Sequence, residues 1–243
     1  MNVHFVEHEA FEAPGAFTAW VNERGHTASH SRVYAHEPLP TAIAAIDLLV
    51  ILGGPQSTTT TREECAHFDA AAECALIAAC IAAGKAVVGV CLGAQLLGKA
   101  LGAPHESSPA KEIGKFPIQL TAAGKTHPMC AHFGDGLEVG HWHSDMPGLT
   151  PQSRILARSA GCPRQIIEYG ELAYGLQCHL EFTAETIEGM IIATPPAEFA
   201  AAASGFVQTP EMLRAHDYGP MNRKLFEFLD RLMAAYALRR EPA

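Results

Sequence analysis

Gly89-Val90-Cys91-Leu92-Gly93 joins two stretches of different character. Before it, Ala86-Val87-Val88-Gly89-Val90 is a short apolar run of the β type. After it, Leu92 to Leu101 reads as a helix. A cysteine at a strand-to-helix turn, with a glycine two residues to either side, is the nucleophile-elbow pattern with sulfur in place of oxygen. Such a turn is strained and tolerates only small flanking residues. It lifts the sulfur above the sheet and sets it at a helix N-terminus, whose positive dipole end favours thiolate over thiol.

Upstream, the pattern alternates strand and helix. Asn2–Val6 reads as a strand, Phe11 to Arg24 as a helix ended by Gly25, and Thr27–Tyr34 as a second strand. Leu48-Leu49-Val50-Ile51-Leu52 is continuously apolar, as expected of a strand covered on both faces, and it runs into the turn Gly53-Gly54-Pro55. Thr61-Arg62-Glu63-Glu64 has the form of a capping box. The helix predicted after it carries Phe68, Ala72, Ala75, Leu76, Ala79 and Ala83 on one face and stops at Gly84. This β-α-β-α order predicts a parallel sheet with helices on both sides.

Downstream, short strand-like runs follow at Ile113–Leu120, Leu137–His141, Arg154–Arg158, Gln165–Tyr169 and Ala173–Cys178, a partly antiparallel second half. Thr183 caps a helix predicted to reach about Ile192. Residues 194–208, rich in Ala and Pro and without a clear period, read as a mobile connection. Thr209-Pro210-Glu211 opens another helix, and Pro220 opens the last, with Leu225, Phe228, Leu229, Leu232 and Met233 as its apolar stripe. No repeat or linker divides the chain. It reads as a single α/β domain over 1–243, with a core of about 1–192 and a helical elaboration over about 194–243.

Composition narrows the partners. A net charge of −9 over 243 residues argues against nucleic acid or an anionic membrane. The start of the chain lacks the basic region of a signal peptide, and the apolar run Cys74 to Gly84 is too short to span a bilayer. Seven cysteines without any C-x-x-C pair fit a reducing cytoplasm rather than a disulfide framework. Cys65, Cys74 and Cys80 read as small core residues on the helix before the elbow strand, and Trp20 and Trp142 as packing.

A thiolate nucleophile needs a base and a group to orient that base. His179-Leu180-Glu181 follows the last predicted strand, and residues two apart in an extended segment face the same way. Glu181 can thus hold His179 in one tautomer and support its protonated form. An oxyanion hole needs backbone N–H groups. Leu92, after the nucleophile, supplies one candidate and Gly54 the other. His141-x-His143, with His127 and His132 nearby, invites a metal reading, but no carboxylate or cysteine completes a recognisable spacing, and no metal is expected.

Taken together, Leu52-Gly53-Gly54-Pro55, Gly89-Val90-Cys91-Leu92-Gly93-Ala94-Gln95-Leu96-Leu97 and Gly175-Leu176-Gln177-Cys178-His179-Leu180-Glu181 resemble the class I (triad) glutamine amidotransferase family in order and spacing. The resemblance covers roughly residues 1–192. It implies a three-layer, flavodoxin-like fold with a mostly parallel central sheet. It also implies hydrolysis of a γ-glutamyl amide through a thioester, with Cys91 as nucleophile, His179 as base and then acid, and Glu181 as its orienter. Gly54 and Leu92 would then form the oxyanion hole, and Gln95 would contact the substrate. Glu112-Ile113-Gly114 and His141-Trp142-His143-Ser144-Asp145 are similar to segments of the stand-alone branch related to the glutaminase domain of GMP synthase. On that likeness His143, Ser144 and Asp145 hold the amino-acid end of glutamine or another γ-glutamyl compound. Ser144 stands where that branch has Gly, and Leu180 where it has Pro. The resemblance implies no cofactor, and the chain has no phosphate-binding loop and no room for a fused synthase domain. Ammonia would pass to a separate synthase subunit, or the chain would be a stand-alone γ-glutamyl hydrolase. The rivals are a non-catalytic binding or regulatory module on the same fold and a cysteine hydrolase of the related elbow-containing peptidase group.

Overall fold

Three short buried strands, with a more exposed fourth at the edge, build the parallel half of the sheet. The structure, a computed structural model, describes residues 1–200 and 205–240. β1 (Asn2–Glu7), β2 (Thr27–Arg32), β3 (Leu48–Ile51) and β4 (Ala86–Val90) run parallel in the spatial order β2-β1-β3-β4. Period-2 geometry splits their side chains between two layers. Leu48, Val50, Val88 and Val90 pack with Phe17 and Trp20, while Leu49, Ile51 and Val87 pack with Leu76, Ile77, Leu96 and Leu97. Each large side chain so enclosed contributes roughly 1.5–3 kcal/mol.

The helices of this half are α1 (Ala16–Glu23), α2 (Ala70–Ala82) and α3 (Leu92–Ala100). Two begin later than the sequence pattern predicts. Pro14 and Gly15 delay α1: Gly15 has φ 53°, and its N-terminal neighbours run as a loop toward the sheet's end. Only half of the Thr61–Glu64 box forms: Glu64 Oε2 accepts from Thr61 N–H at 2.8 Å, but Glu64 N–H donates to Thr61 O rather than to the hydroxyl, and the segment closes only a turn. The helix itself starts after Asp69, whose side chain accepts from Ala72 N–H at 3.0 Å. Its buried face is Glu73, Leu76, Ile77 and Cys80, whereas Ala72, Ala75, Ala79 and Ala83 are exposed. Alanine fits either face, so the larger side chains set the rotation. Cys65 consequently lies in the preceding turn rather than on the helix.

In the second half, β5 (Glu106–Pro117), β6 (Gln119–Leu120), α4 (Ala122–Thr126), β7 (Glu138–Met146), β8 (Arg154–Arg158), β9 (Ile166–Gly170) and β10 (Ala173–Leu176) follow in order. β10 joins β4 in parallel, then β9, β8 and β6 add antiparallel, giving an 8-stranded sheet β2-β1-β3-β4-β10-β9-β8-β6. β5 and β7 form a separate antiparallel pair in which Glu112 lies opposite His143.

The C-terminal helices are α5 (Ala184–Ala193), α6 (Pro196–Phe199), α7 (Pro210–Arg214) and α8 (Gly219–Arg240). Thr183 caps α5 in a capping box, and Thr209 caps α7 with Pro at its first turn. The predicted stripe of α8 is buried in full and joins the layer that holds Trp20, whose indole N–H donates to Asp230 Oδ1 at 2.8 Å. The predicted mobile connection at 194–208 contains α6, and Val207 bridges to Ile113. Residues 201–204 of it lie outside the described residues. Among the described residues no helix is long and apolar enough to cross a membrane.

Candidate active site

Parallel strands β1, β3, β4 and β10 lie side by side and all end at one edge of the sheet, where open α/β folds bind ligands. Their carboxyl ends carry His8, Gly53-Gly54, Cys91 and His179 respectively.

Cys91 sits between β4 and α3 with φ 51° and ψ −109°. A non-glycine residue in such a conformation costs on the order of 1–3 kcal/mol and persists only where its surroundings impose it. The imposition is visible. Cys91 N–H donates to Leu176 O of β10 at 2.7 Å. A Cβ on Gly89 would lie 2.3 Å from Gly93 O, and one on Gly93 would lie 2.0 Å from Ile51 O, so neither flank accepts a side chain. Leu92 opens α3, and its first-turn N–H has no partner within the helix.

His179 and Glu181 follow β10. His179 Nδ1 is 2.6 Å from Glu181 Oε1, and both side chains are buried. The backbone around them is held from several sides. His179 and Gly140 exchange N–H···O bonds of 2.8 and 2.9 Å. Ala16 N–H donates to Glu181 O at 2.9 Å. Asn222 of α8 donates to Leu180 O at 2.7 Å and to Phe182 O at 3.0 Å. The Phe182 ring stacks on the imidazole with centroids 4.1 Å apart. Burial alone would push the His179 pKa down. The Glu181 carboxylate more than reverses this, Cys91 adds to it, and the imidazole keeps its proton well above the usual histidine range. His179 Nε2 has no hydrogen-bond partner of ordinary length among the described residues.

Sequence reasoning missed Gln177. Its Nε2 donates to Cys91 Sγ at 3.3 Å, and its Oε1 accepts from Gln95 Nε2 at 3.1 Å. The signal was present: Gln177 precedes His179 by two residues and faces the same way. Gln95 therefore reaches Cys91 through Gln177.

A cavity of about 400 Å³ opens over Cys91 and is lined by Gly54, Leu92, Gln95, Ser144 and Asp145 among others. Ser144 is exposed and Asp145 half-buried. Glu12, from the loop after β1, also lines it and was not anticipated. Its carboxylate occupies the space that a side chain on Gly53 would need. Burial raises Glu12, His179 and His8 pull it back only in part, and it titrates at about 7. At the outer end Lys111 pairs with Glu198 of α6.

His143 also lines the cavity, but unlike its two neighbours its side chain is buried. Its ring is turned inward, with Nε2 3.2 Å from Glu112 Oε2. His141 Nδ1 lies 3.5 Å from the same oxygen. Glu112, His141 and His143 are the group among the described residues whose donor atoms converge closely enough to hold a cation. The carboxylate that the sequence spacing lacked comes from the facing strand. Ser159 and Gln165 already donate to Glu112 Oε2, each at 2.8 Å. Burial opposes ionisation of Glu112, but its imidazole and hydroxyl partners prevail and hold it far below the carboxylate range.

Residues 17–194 match the family described as glutamine amidotransferase class-I. The chain belongs to this family. It is 53% identical over 237 residues to the glutamine amidotransferase-like protein YfeJ of Salmonella typhimurium, covering 98% of this chain and 99% of that one. A GMP synthase of Aeropyrum pernix is 31% identical over 146 residues, 60% of this chain but only 25% of that protein. Among solved structures, SMU.1228c superposes with a TM-score of 0.93 at 48% identity, covering 96% of this chain and 99% of that one. This member of the family therefore matches YfeJ along its length and GMP synthase over one part only.

Proposed function

We propose that this chain hydrolyses a γ-glutamyl amide through a thioester on Cys91. The observation that carries the reading is the buried His179–Glu181 pair, 2.6 Å apart, beside a cysteine in a left-handed turn. Cys91 Sγ attacks the amide carbon as a thiolate, with the proton it gives up already held on His179. The oxygen that becomes negative is met by the N–H groups of Gly54 and Leu92. His179 returns the proton to the departing nitrogen as the C–N bond breaks, leaving a thioester. Water, activated by His179, then releases glutamate and restores the thiolate, with the proton taken from water back on His179. Glu181 keeps Nδ1 protonated so that Nε2 faces the reaction. Gln95, Ser144 and Asp145 receive the amino-acid end, with His143 supporting that segment from behind through Glu112.

Two destinations for the nitrogen agree with this chemistry. As an amidotransferase, the chain passes ammonia to a separate synthase subunit. As a stand-alone enzyme, it cleaves a larger γ-glutamyl compound. The cavity favours the second, because its volume lies in the range of sites that enclose whole small molecules and it extends to Glu198. Ser144 also alters the segment that meets the amino-acid end. We expect weak hydrolysis of free glutamine by the chain alone. Seven free cysteines fit work in a reducing cytoplasm.

The test is release of ammonia or amine from glutamine and from a panel of γ-glutamyl amides and peptides. Turnover that vanishes in Cys91→Ala supports the reading. Iodoacetamide near neutral pH should label Cys91 ahead of the other six thiols. Preferential labelling elsewhere, with full activity in Cys91→Ala, would remove the nucleophile. No turnover on any amide, with or without a synthase, would favour a binding module.

A further inference from the structure

Behind the Gly53-Gly54 turn lies a buried pair that the chemistry above leaves unused. His8, at the end of β1, and Glu73, on the inward face of α2, are 0% and 1% exposed. His8 Nε2 is 2.8 Å from Glu73 Oε2, and His8 Nδ1 is 2.9 Å from Gly53 O. A carboxylate and a carbonyl accept hydrogen bonds and do not donate them, so both ring nitrogens donate. Burial opposes the charge this requires, and Glu73 more than restores it, raising His8 above its usual value.

We infer that His8, held by Glu73, is a positioning residue that fixes the Gly53–Gly54 peptide with its N–H aimed at the oxyanion over Cys91. The argument is one of peptide geometry. The C=O of Gly53 and the N–H of Gly54 belong to one planar unit and point in opposite directions when it is trans. No cis peptide bond occurs among the described residues. A grip on Gly53 O therefore turns Gly54 N–H the other way, and that N–H donates to no protein acceptor among the described residues. The turn lies against the nucleophile, since a Cβ on Gly53 would stand 3.5 Å from Cys91 Cβ. Gly54, Leu92 and Cys91 share the wall of one cavity. Two consecutive glycines are also the backbone freest to rotate. Without a lock, the unit can turn its carbonyl oxygen toward the place where negative charge develops. The imidazolium on Gly53 O supplies the lock and polarises the peptide in the sense that strengthens its N–H as a donor.

The inference rests on the thioester reading, and the experiment separates the two. His8→Leu removes both ring contacts, while His8→Asn keeps a donor where Nδ1 stood and loses Glu73. Each is compared with the unmodified chain for kcat and KM on γ-glutamyl-p-nitroanilide, for inhibition by glutamate γ-semialdehyde, and for alkylation of Cys91 by iodoacetamide. Alkylation forms no oxyanion. The expected result for His8→Leu is a loss of about 100-fold in kcat, the scale of one missing oxyanion donor, with KM within about twofold. Semialdehyde affinity should fall with kcat/KM, the alkylation rate should hold, and His8→Asn should recover most of kcat. Should His8→Leu unfold, Glu73→Gln carries the same comparison, with His8→Asn as the variant that keeps the donor to Gly53 O. Unchanged kcat in His8→Leu or Glu73→Gln, or alkylation that falls in step with kcat, would overturn the positioning role alone. Absence of turnover in the unmodified chain would overturn it together with the thioester reading.

Discussion

At the scale of single residues, the charge state of His179 is set by a contest between burial and Glu181. The carboxylate wins and raises the imidazole above its ordinary value of 6.5. A histidine raised on folding contributes stability that is fully present below its unfolded pKa and is lost as pH rises through the folded one. Glu181→Gln keeps the shape and removes the charge, so burial then prevails and the His179 pKa falls. Three outcomes are expected. The loss of stability is largest below pH 6.5 and shrinks at alkaline pH in denaturant titrations. The pH–rate profile moves to lower pH. Turnover falls by up to ~10⁴, the loss when an analogous triad acid is made neutral. Equal stability loss at all pH values would mean that Glu181 acts only through packing.

Elements were legible where their signal is local. β3 and β4 are short apolar runs between turns, and α8 carries a strong stripe of large side chains. The start of α2 and its rotation were not, because a helix of alanines presents a usable face on every side. Neither was the role of its Glu73, whose partner His8 lies 65 residues away. Glu112 was missed as the partner of His141 and His143 for the same reason: β5 and β7 meet only in the fold. The elbow, by contrast, is written in five consecutive residues, with a glycine two positions to either side of Cys91, and its steric content can be measured. Gly93→Ala should cost about 3 kcal/mol, since its Cβ would meet Ile51 O at 2.0 Å. Gly170→Ala, with nothing within 4 Å, should stay within about 0.5 kcal/mol. Urea denaturation of both variants checks the contrast, and similar losses would mean that the turn relaxes around the added carbon.

At the scale of the whole molecule, the sheet brings together segments from β1 to α8, and the family was readable from three short motifs that supply only part of that assembly. The residue at its far end, Asn222, could not be read from sequence, since an asparagine in a helix has no local signature of a clamp. Its amide holds the carbonyls either side of Glu181, where the family's usual proline is replaced by Leu180. Asn222→Ala should cost about 1–3 kcal/mol and, on the proposed chemistry, lower kcat more than it raises KM, because it frees the segment that carries His179 and Glu181. Unchanged kcat at matched folding would show that Gly140 and Ala16 hold the segment unaided. The clamp also imposes an order in time. Synthesis delivers a chain from its N-terminus, and Asn222 is made 42 residues after Leu180. The growing polypeptide therefore owns its sulfur, its turn and its histidine before it owns the amide that ties them in place. A ribosome paused between these points carries a chain with that cysteine, turn and histidine but without the Asn222 clamp, which closes as one of the later events of translation.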